Sequence, residues 1–161
     1  MTFFEIIIKE YIILSSALFS WIIAQFLKIL IEIMRRKDLR AKDFILRVLF
    51  GTGGMPSSHS ATISAVALSI GLKEGFNSSI FAFAVVLVII VIRDATGVRF
   101  SAGKQAEAIN KILLYHQNEF KLPFERVKEV RGHTPLESFV GAIVGILVSL
   151  GMYFIDWKNE K

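Results

Sequence analysis

Gly53-Gly54-Met55-Pro56-Ser57-Ser58-His59-Ser60 sets glycines, hydroxyls and an imidazole directly ahead of an apolar run, in a chain that is otherwise oily. A Pro-Ser-Ser sequence leading into such a run reads as a helix start, where unpaired backbone N–H groups and hydroxyls gather at a positive helix terminus and form a ready anion site. Outward from this stretch lie four apolar segments, residues 11–34, 60–72, 79–92 and 136–155. The first and last reach the about 20 residues, at about 1.5 Å each, that a hydrocarbon core requires. The two middle segments are shorter. They either cross while packed between the others, with polar ends in a water-filled recess, or form a hairpin that enters partway.

Gly71-Leu72-Lys73-Glu74-Gly75-Phe76-Asn77 reads as the connection between the middle helices, with glycine as C-cap and breaker. Over residues 103–130, Ala106, Ile109, Leu113 and Leu114 recur at helical spacing opposite Lys104, Glu107 and Lys111, the pattern of an interfacial or cytosolic helix broken near Pro123. The expected fold is therefore all-α: a small polytopic helical membrane bundle with about four membrane-inserted helices plus an amphipathic interfacial helix. It forms a single domain over residues 1–161.

Composition agrees, since 161 residues at 53% hydrophobic content with a mean hydropathy of +0.56 are too apolar for an ordinary soluble domain. The absence of cysteine excludes disulfides and thiolate metal sites, and the His and carboxylate spacing shows no zinc cluster, so neither metal nor cofactor is expected. The first apolar run lacks the short core and cleavage pattern of a signal peptide and is expected to remain in the mature protein. A net charge of +5 does not point to nucleic acid, because the basic residues flank apolar segments without aromatic interleaving; the expected partners are the bilayer and an anionic lipid. Lys and Arg number 6 in the loop over residues 35–59 and 8 in the loop over residues 93–135, so 14 of 19 fall on one side of a four-helix topology. By the positive-inside rule that side is cytoplasmic, which predicts an integral protein of the inner (plasma) membrane with its polar groups facing the cytoplasm.

Four polar groups fall at that face. His59 follows Ser57 and Ser58 at the helix start and is positioned to hand a proton to a leaving oxygen; the plainer reading is an N-cap with a packing histidine. His133 lies one turn before Glu137, which can accept a bond from one ring nitrogen and leave the other as a nucleophilic lone pair, or else serve as an ordinary first-turn acid on the helix dipole. Lys28 and Arg35 are seven positions apart on one helix face, suited to a phosphate dianion, with the Lys28–Glu32 pair and a snorkelling Arg35 as the alternative. An ionisable group as deep in an apolar run as Lys28 is functional by default. Asp94 and Arg99, flanking Gly97, form a candidate phosphate clamp, whereas Arg93 reads as an interfacial anchor and His116 as structural.

These residues resemble the divergent branch of the type-2 phosphatidic acid phosphatase superfamily, related to vanadium haloperoxidases. The resemblance rests on Gly-Gly-Met-Pro-Ser-Ser-His-Ser-Ala (Gly53 to Ala61), Asp-Ala-Thr-Gly-Val-Arg (Asp94 to Arg99), Ala-Gly-Lys-Gln-Ala (Ala102 to Ala106) and Gly-His-Thr-Pro-Leu-Glu (Gly132 to Glu137), and covers nearly the whole chain. Against the wider superfamily, Arg36 replaces a proline, Ser58 a glycine and Glu137 an aspartate, while Val127 occupies the place of an arginine and Arg126 is one residue off.

The resemblance implies a metal-independent phosphomonoesterase in which His133 attacks phosphorus, Glu137 orients it and His59 protonates the leaving alkoxide. Lys28, Arg35, Ser57 and Ser58 would hold the phosphoryl oxygens, and Arg99, with Arg131 second, would replace the missing clamp beside Asp94. The implied substrate is a membrane lipid phosphate such as a phosphatidylglycerophosphate, phosphatidate or prenyl phosphate. Transfer to an acceptor other than water, and lipid-phosphate binding or assembly without catalysis, stay open. Gly141 and Gly145 form a small-xxx-small face that fits either a second copy of the chain or packing within it.

Overall fold

Ser57 opens the central helix. It is extended, and its Oγ accepts from the backbone N–H of Ser60, so one orphan donor of the first turn is satisfied by the side chain the sequence supplies for it. The computed structural model describes residues 11–35, 54–120, 125–129 and 132–159. Among these the chain forms α1 (Ile12–Arg35), α2 (Ser58–Glu74), α3 (Ser79–Arg93), a π-helical turn (Asp94–Val98), α4 (Arg99–Phe120) and α5 (Pro135–Asn159). No strand occurs among the described residues. Residues 36–53, with Arg36 and Gly53, and Arg131 lie outside the described residues.

α2 is the hub, in contact with α1, α3 and α5, while α1 and α5 also pack on each other. Its composition explains that position. Of its buried residues only Ile70 is larger than serine or alanine, so neighbouring backbones approach closely. Gly141 and Gly145 of α5 complete the fit: a Cβ on the first would run into the Ser57 carbonyl, and one on the second into the Ala61 carbonyl. The small-residue face is thus occupied within the chain. A buried bond between Ser69 Oγ and Ser149 Oγ at 2.8 Å ties the same two helices further down.

The interior is inverted relative to a soluble domain. Among the described residues, the largest side chains withdrawn completely from the surface are Pro56 and the serines Ser16, Ser20, Ser57, Ser60, Ser138 and Ser149, joined by Ala24, Ala61 and Ala65, whereas Phe26, Phe83, Phe139, Leu147 and Phe154 are more than half exposed. That distribution is favourable only with hydrocarbon outside. Among the described residues three helical stretches are long and apolar enough to cross a membrane: Ile12–Met34, Ser79–His116 and Pro135–Asp156. α2, at 17 residues, is held among them.

Two expectations are corrected. The third apolar run and the amphipathic helix are one continuous rod, because Asp94–Val98 passes from α3 to α4 as a π-turn without ending the helix. The 38 residues of Ser79–His116, at about 1.5 Å each, amount to roughly 57 Å of helix, about twice a hydrocarbon core, so only part of this length can lie across a bilayer. The chain then returns along α4, the Asn110 amide donating to Val127 O at 2.9 Å and accepting from Val127 N at 2.9 Å. The connection after α2 is also shorter than the expected Gly71 to Asn77, because α2 continues to Glu74 and is capped by Gly75, at φ +92°. Gly71 is buried inside the helix, where a Cβ would strike the Phe76 ring, and Phe76 packs edge-on against Phe81 with centroids 5.1 Å apart.

Replacing Gly145 with Ala should therefore destabilise the protein by about 2 kcal/mol, the usual scale of overpacking. Gly151→Ala, with open space around it, should leave it unchanged or slightly firmer. Thermal melting of both variants in detergent checks the difference.

Candidate functional site

The end of α1, the start of α2, the π-turn and the start of α5 meet at one end of the bundle, and two contacts fix how they meet. Ser57 N donates to Glu137 O at 3.0 Å, joining the Pro-Ser-Ser-His turn to the first turn of α5. His133 N donates to Ala95 O at 3.0 Å, seating the preceding loop on the π-turn. Gly132 makes this seating possible, since a Cβ there would overlap the backbone of Arg99 and Phe100.

The result is that His59 and His133, 74 positions apart in the sequence, lie with ring centroids 6.4 Å apart and planes inclined at 55°. His133 is buried and His59 is exposed. Lys28 is only 7% exposed, and its charge reaches both imidazoles as well as Glu137 and Glu32. Gly54, at φ +92°, lies over its side chain, where a Cβ would sit 3.0 Å from Cε. Ser57 Oγ, fully buried, accepts from Ser60 N at 3.3 Å and Ser60 Oγ at 3.1 Å; these two bonds leave its own proton uncommitted. Ser58 is buried beside it.

Glu137 differs from the simplest expectation. Its Oε2 lies 3.6 Å from His133 Nδ1, an ion-pair distance too long for a hydrogen bond, and Nδ1 is buried without a hydrogen-bond partner. Oε2 instead accepts from Thr134 N at 2.8 Å, while Glu137 N donates to Thr134 Oγ1 at 3.3 Å. This is a capping box, legible in Thr134-Pro135-Leu136-Glu137. The carboxylate therefore holds the N-terminus of α5 and faces the imidazole at the same time.

Arg99 Nε donates to Asp94 Oδ2 across the π-turn, in an exposed pair. Its guanidinium acts on His59, whose pKa is depressed first by partial burial and then by the positive fields of Arg99 and Lys28. His133 is also depressed, chiefly by burial, with Lys28 and His59 adding and Glu137 opposing. Both rings are therefore predominantly neutral at pH 7. Arg35 closes α1, its side chain outside the described residues; Arg126 is exposed on the returning segment. Ala95, whose carbonyl seats His133, carried no sequence signal, because a backbone acceptor is independent of side-chain type. Among the described residues no cluster of three or more His, Cys, Asp or Glu is arranged to hold a metal.

A polytopic helical membrane protein with two imidazoles and a buried ammonium gathered at one end of its bundle is thereby defined. The chain belongs to the Divergent PAP2 family, whose family model matches residues 9–148. It is similar to the membrane protein YuiD of Bacillus subtilis (strain 168), with 37% identity over 148 residues, 85% of this chain and 90% of that protein. No solved structure matches the chain.

The electrostatic account is tested by titrating His59 by NMR in protein labelled at histidine ring carbons. Removing a neighbouring positive charge eases protonation, so Arg99→Gln should raise the His59 pKa toward the ordinary value and move that of His133 less.

Proposed function

We propose that the protein hydrolyses a lipid phosphomonoester through a phosphohistidine, at the cytoplasmic face of the membrane. The observation that carries the proposal is the 6.4 Å separation of the His59 and His133 rings beside the buried Lys28, a span that one tetrahedral phosphoryl group bridges. Neutral His133 is the nucleophile. With Nδ1 turned to Glu137, its Nε2 lone pair forms the N–P bond as the P–O bond to the lipid breaks. His59, protonated, gives its proton to the departing alkoxide. Water then attacks the phosphohistidine and loses its proton to neutral His59, which releases inorganic phosphate and restores both rings.

Lys28, Arg35 and the hydroxyls of Ser57 and Ser58 hold the phosphoryl oxygens, and Arg99, oriented by Asp94, supplies the further clamp. Phosphoryl transfer depends mostly on position and charge stabilisation, so a fixed imidazole pair with a desolvated cation contributes what the chemistry needs. The positive excess over residues 35–59 and 93–135 supports the cytoplasmic orientation.

Purified protein given a panel of lipid phosphates should release phosphate in the presence of EDTA. His133→Ala and His59→Ala should each lower release by at least about a hundredfold, and vanadate should compete with substrate. Binding of lipid phosphate without release by the wild type would assign the site to a binder. The pH profile follows from the two depressed histidines: kcat/KM should fall toward low pH as the His133 nucleophile becomes protonated, and toward high pH as the His59 acid is lost, with an optimum on the acidic side of neutrality.

A further inference from the structure

At the far end of the bundle from the histidines, α1 and α2 enclose a groove of about 300 Å³ lined by Tyr11, Ile13, Leu14, Ala17, Val66 and Lys73. Lys73 lies near the C-terminal end of α2 and His59 at its start, so the groove mouth is about 20 Å along the helix from the site described above. It is a separate place. Its volume is at the lower end of the about 300–1,000 Å³ usual for small-molecule pockets.

Four of the six lining residues are purely apolar. Ile13, Leu14 and Ala17 recur at helical spacing on one side of α1, a membrane-crossing helix. Tyr11 and Lys73, both exposed, are the amphipathic residues, and both stand at helix ends, at the level where a bilayer presents its headgroups. From Tyr11 to Ala17 the wall descends about 9 Å. A water-soluble ligand would leave the lower wall against hydrocarbon, whereas a lipid chain continues from the groove into the membrane without a break. The ammonium at the mouth is complementary to a phosphate, and the tyrosine hydroxyl supplies a second donor.

We infer that this groove binds a phospholipid of the leaflet opposite the histidine site, one acyl chain lying against Ile13, Leu14, Ala17 and Val66 and the headgroup phosphate paired with Lys73. The lipid is a resident ligand that fills the surface between α1 and α2, and no bond is made or broken there. The inference is independent of the phosphatase reading.

Native mass spectrometry of the full chain tests it, after delipidation and exposure to detergent micelles containing either dioleoyl phosphatidylglycerol or dioleoylglycerol, which lacks the phosphate. The wild type should retain one phosphatidylglycerol per chain in preference to dioleoylglycerol. Ala17→Trp, which fills the groove, should abolish retention of both, and Val66→Trp does the same from the opposite wall should the first variant misfold. Lys73→Gln should keep the chain contact and lower the preference for the phosphate-bearing lipid about fivefold. His133→Ala should retain lipid like the wild type, so a failed phosphatase reading and a failed groove reading give different results. Equal retention by wild type and both tryptophan variants overturns the inference. So does retention that appears only after deletion of residues 2–10, which would make that segment the occupant, or an Ala17→Trp effect on dimer fraction alone, which would make it a second copy.

Discussion

The close approach of α5 to α2 is the constraint on which the site depends. Gly141 and Gly145 let the α5 backbone lie against the carbonyls of Ser57 and Ala61, and the Ser57 N–H reaches Glu137 O at 3.0 Å. Those contacts are short because no side chain intervenes, and they fix the relative height and rotation of two helix starts. One carries His59 and the other follows directly on His133. A few tenths of an ångström at the glycines therefore becomes a displacement between two rings, which is why a packing residue inside the bilayer governs a polar site at its surface.

The bundle reaches this closeness because its solvent is lipid. With no hydrophobic gain from burying leucine away from hydrocarbon, the interior is assigned to serine, alanine and glycine, and the large apolar side chains face outward. Small residues in α2 allow three neighbours to gather around it, and their hydroxyls are available to one another, as in the Ser69–Ser149 bond. A buried ammonium is costly in such surroundings unless anions are near. Lys28 has the fields of Glu137 and Glu32 in the resting protein, and a phosphate would add to them.

Much of this was legible in the sequence. The apolar runs ended within four residues of the observed helices, because Ser57 and Ser78 before α2 and α3, and charged residues after the runs, mark helix ends chemically. Lys28 stood out as an ionisable group within an apolar run, and the two histidine motifs announced themselves as polar clusters at helix starts. The continuity of α3 and α4 was not legible because Asp94 to Arg99 interrupts the apolar pattern with polar and small residues, while a π-turn carries the helix through them by widening it for five residues. The glycine cap expected in the stretch from Gly71 to Asn77 is Gly75, while Gly71 stays inside α2, where its small size serves the Phe76 and Phe81 rings rather than a turn. The dual position of Glu137 depended on a tertiary distance, the 3.6 Å to His133 Nδ1, which no spacing rule supplies.

The measurement that bears most directly on the central claim is a structure of the protein with vanadate bound in lipid. The account predicts one vanadate at this end of the bundle, with vanadium bonded to His133 Nε2, an apical oxygen within about 3 Å of a His59 ring nitrogen and Lys28 Nζ against an equatorial oxygen. A vanadate that engages only one of the two imidazoles, or settles elsewhere in the bundle while the rings point apart, would contradict it.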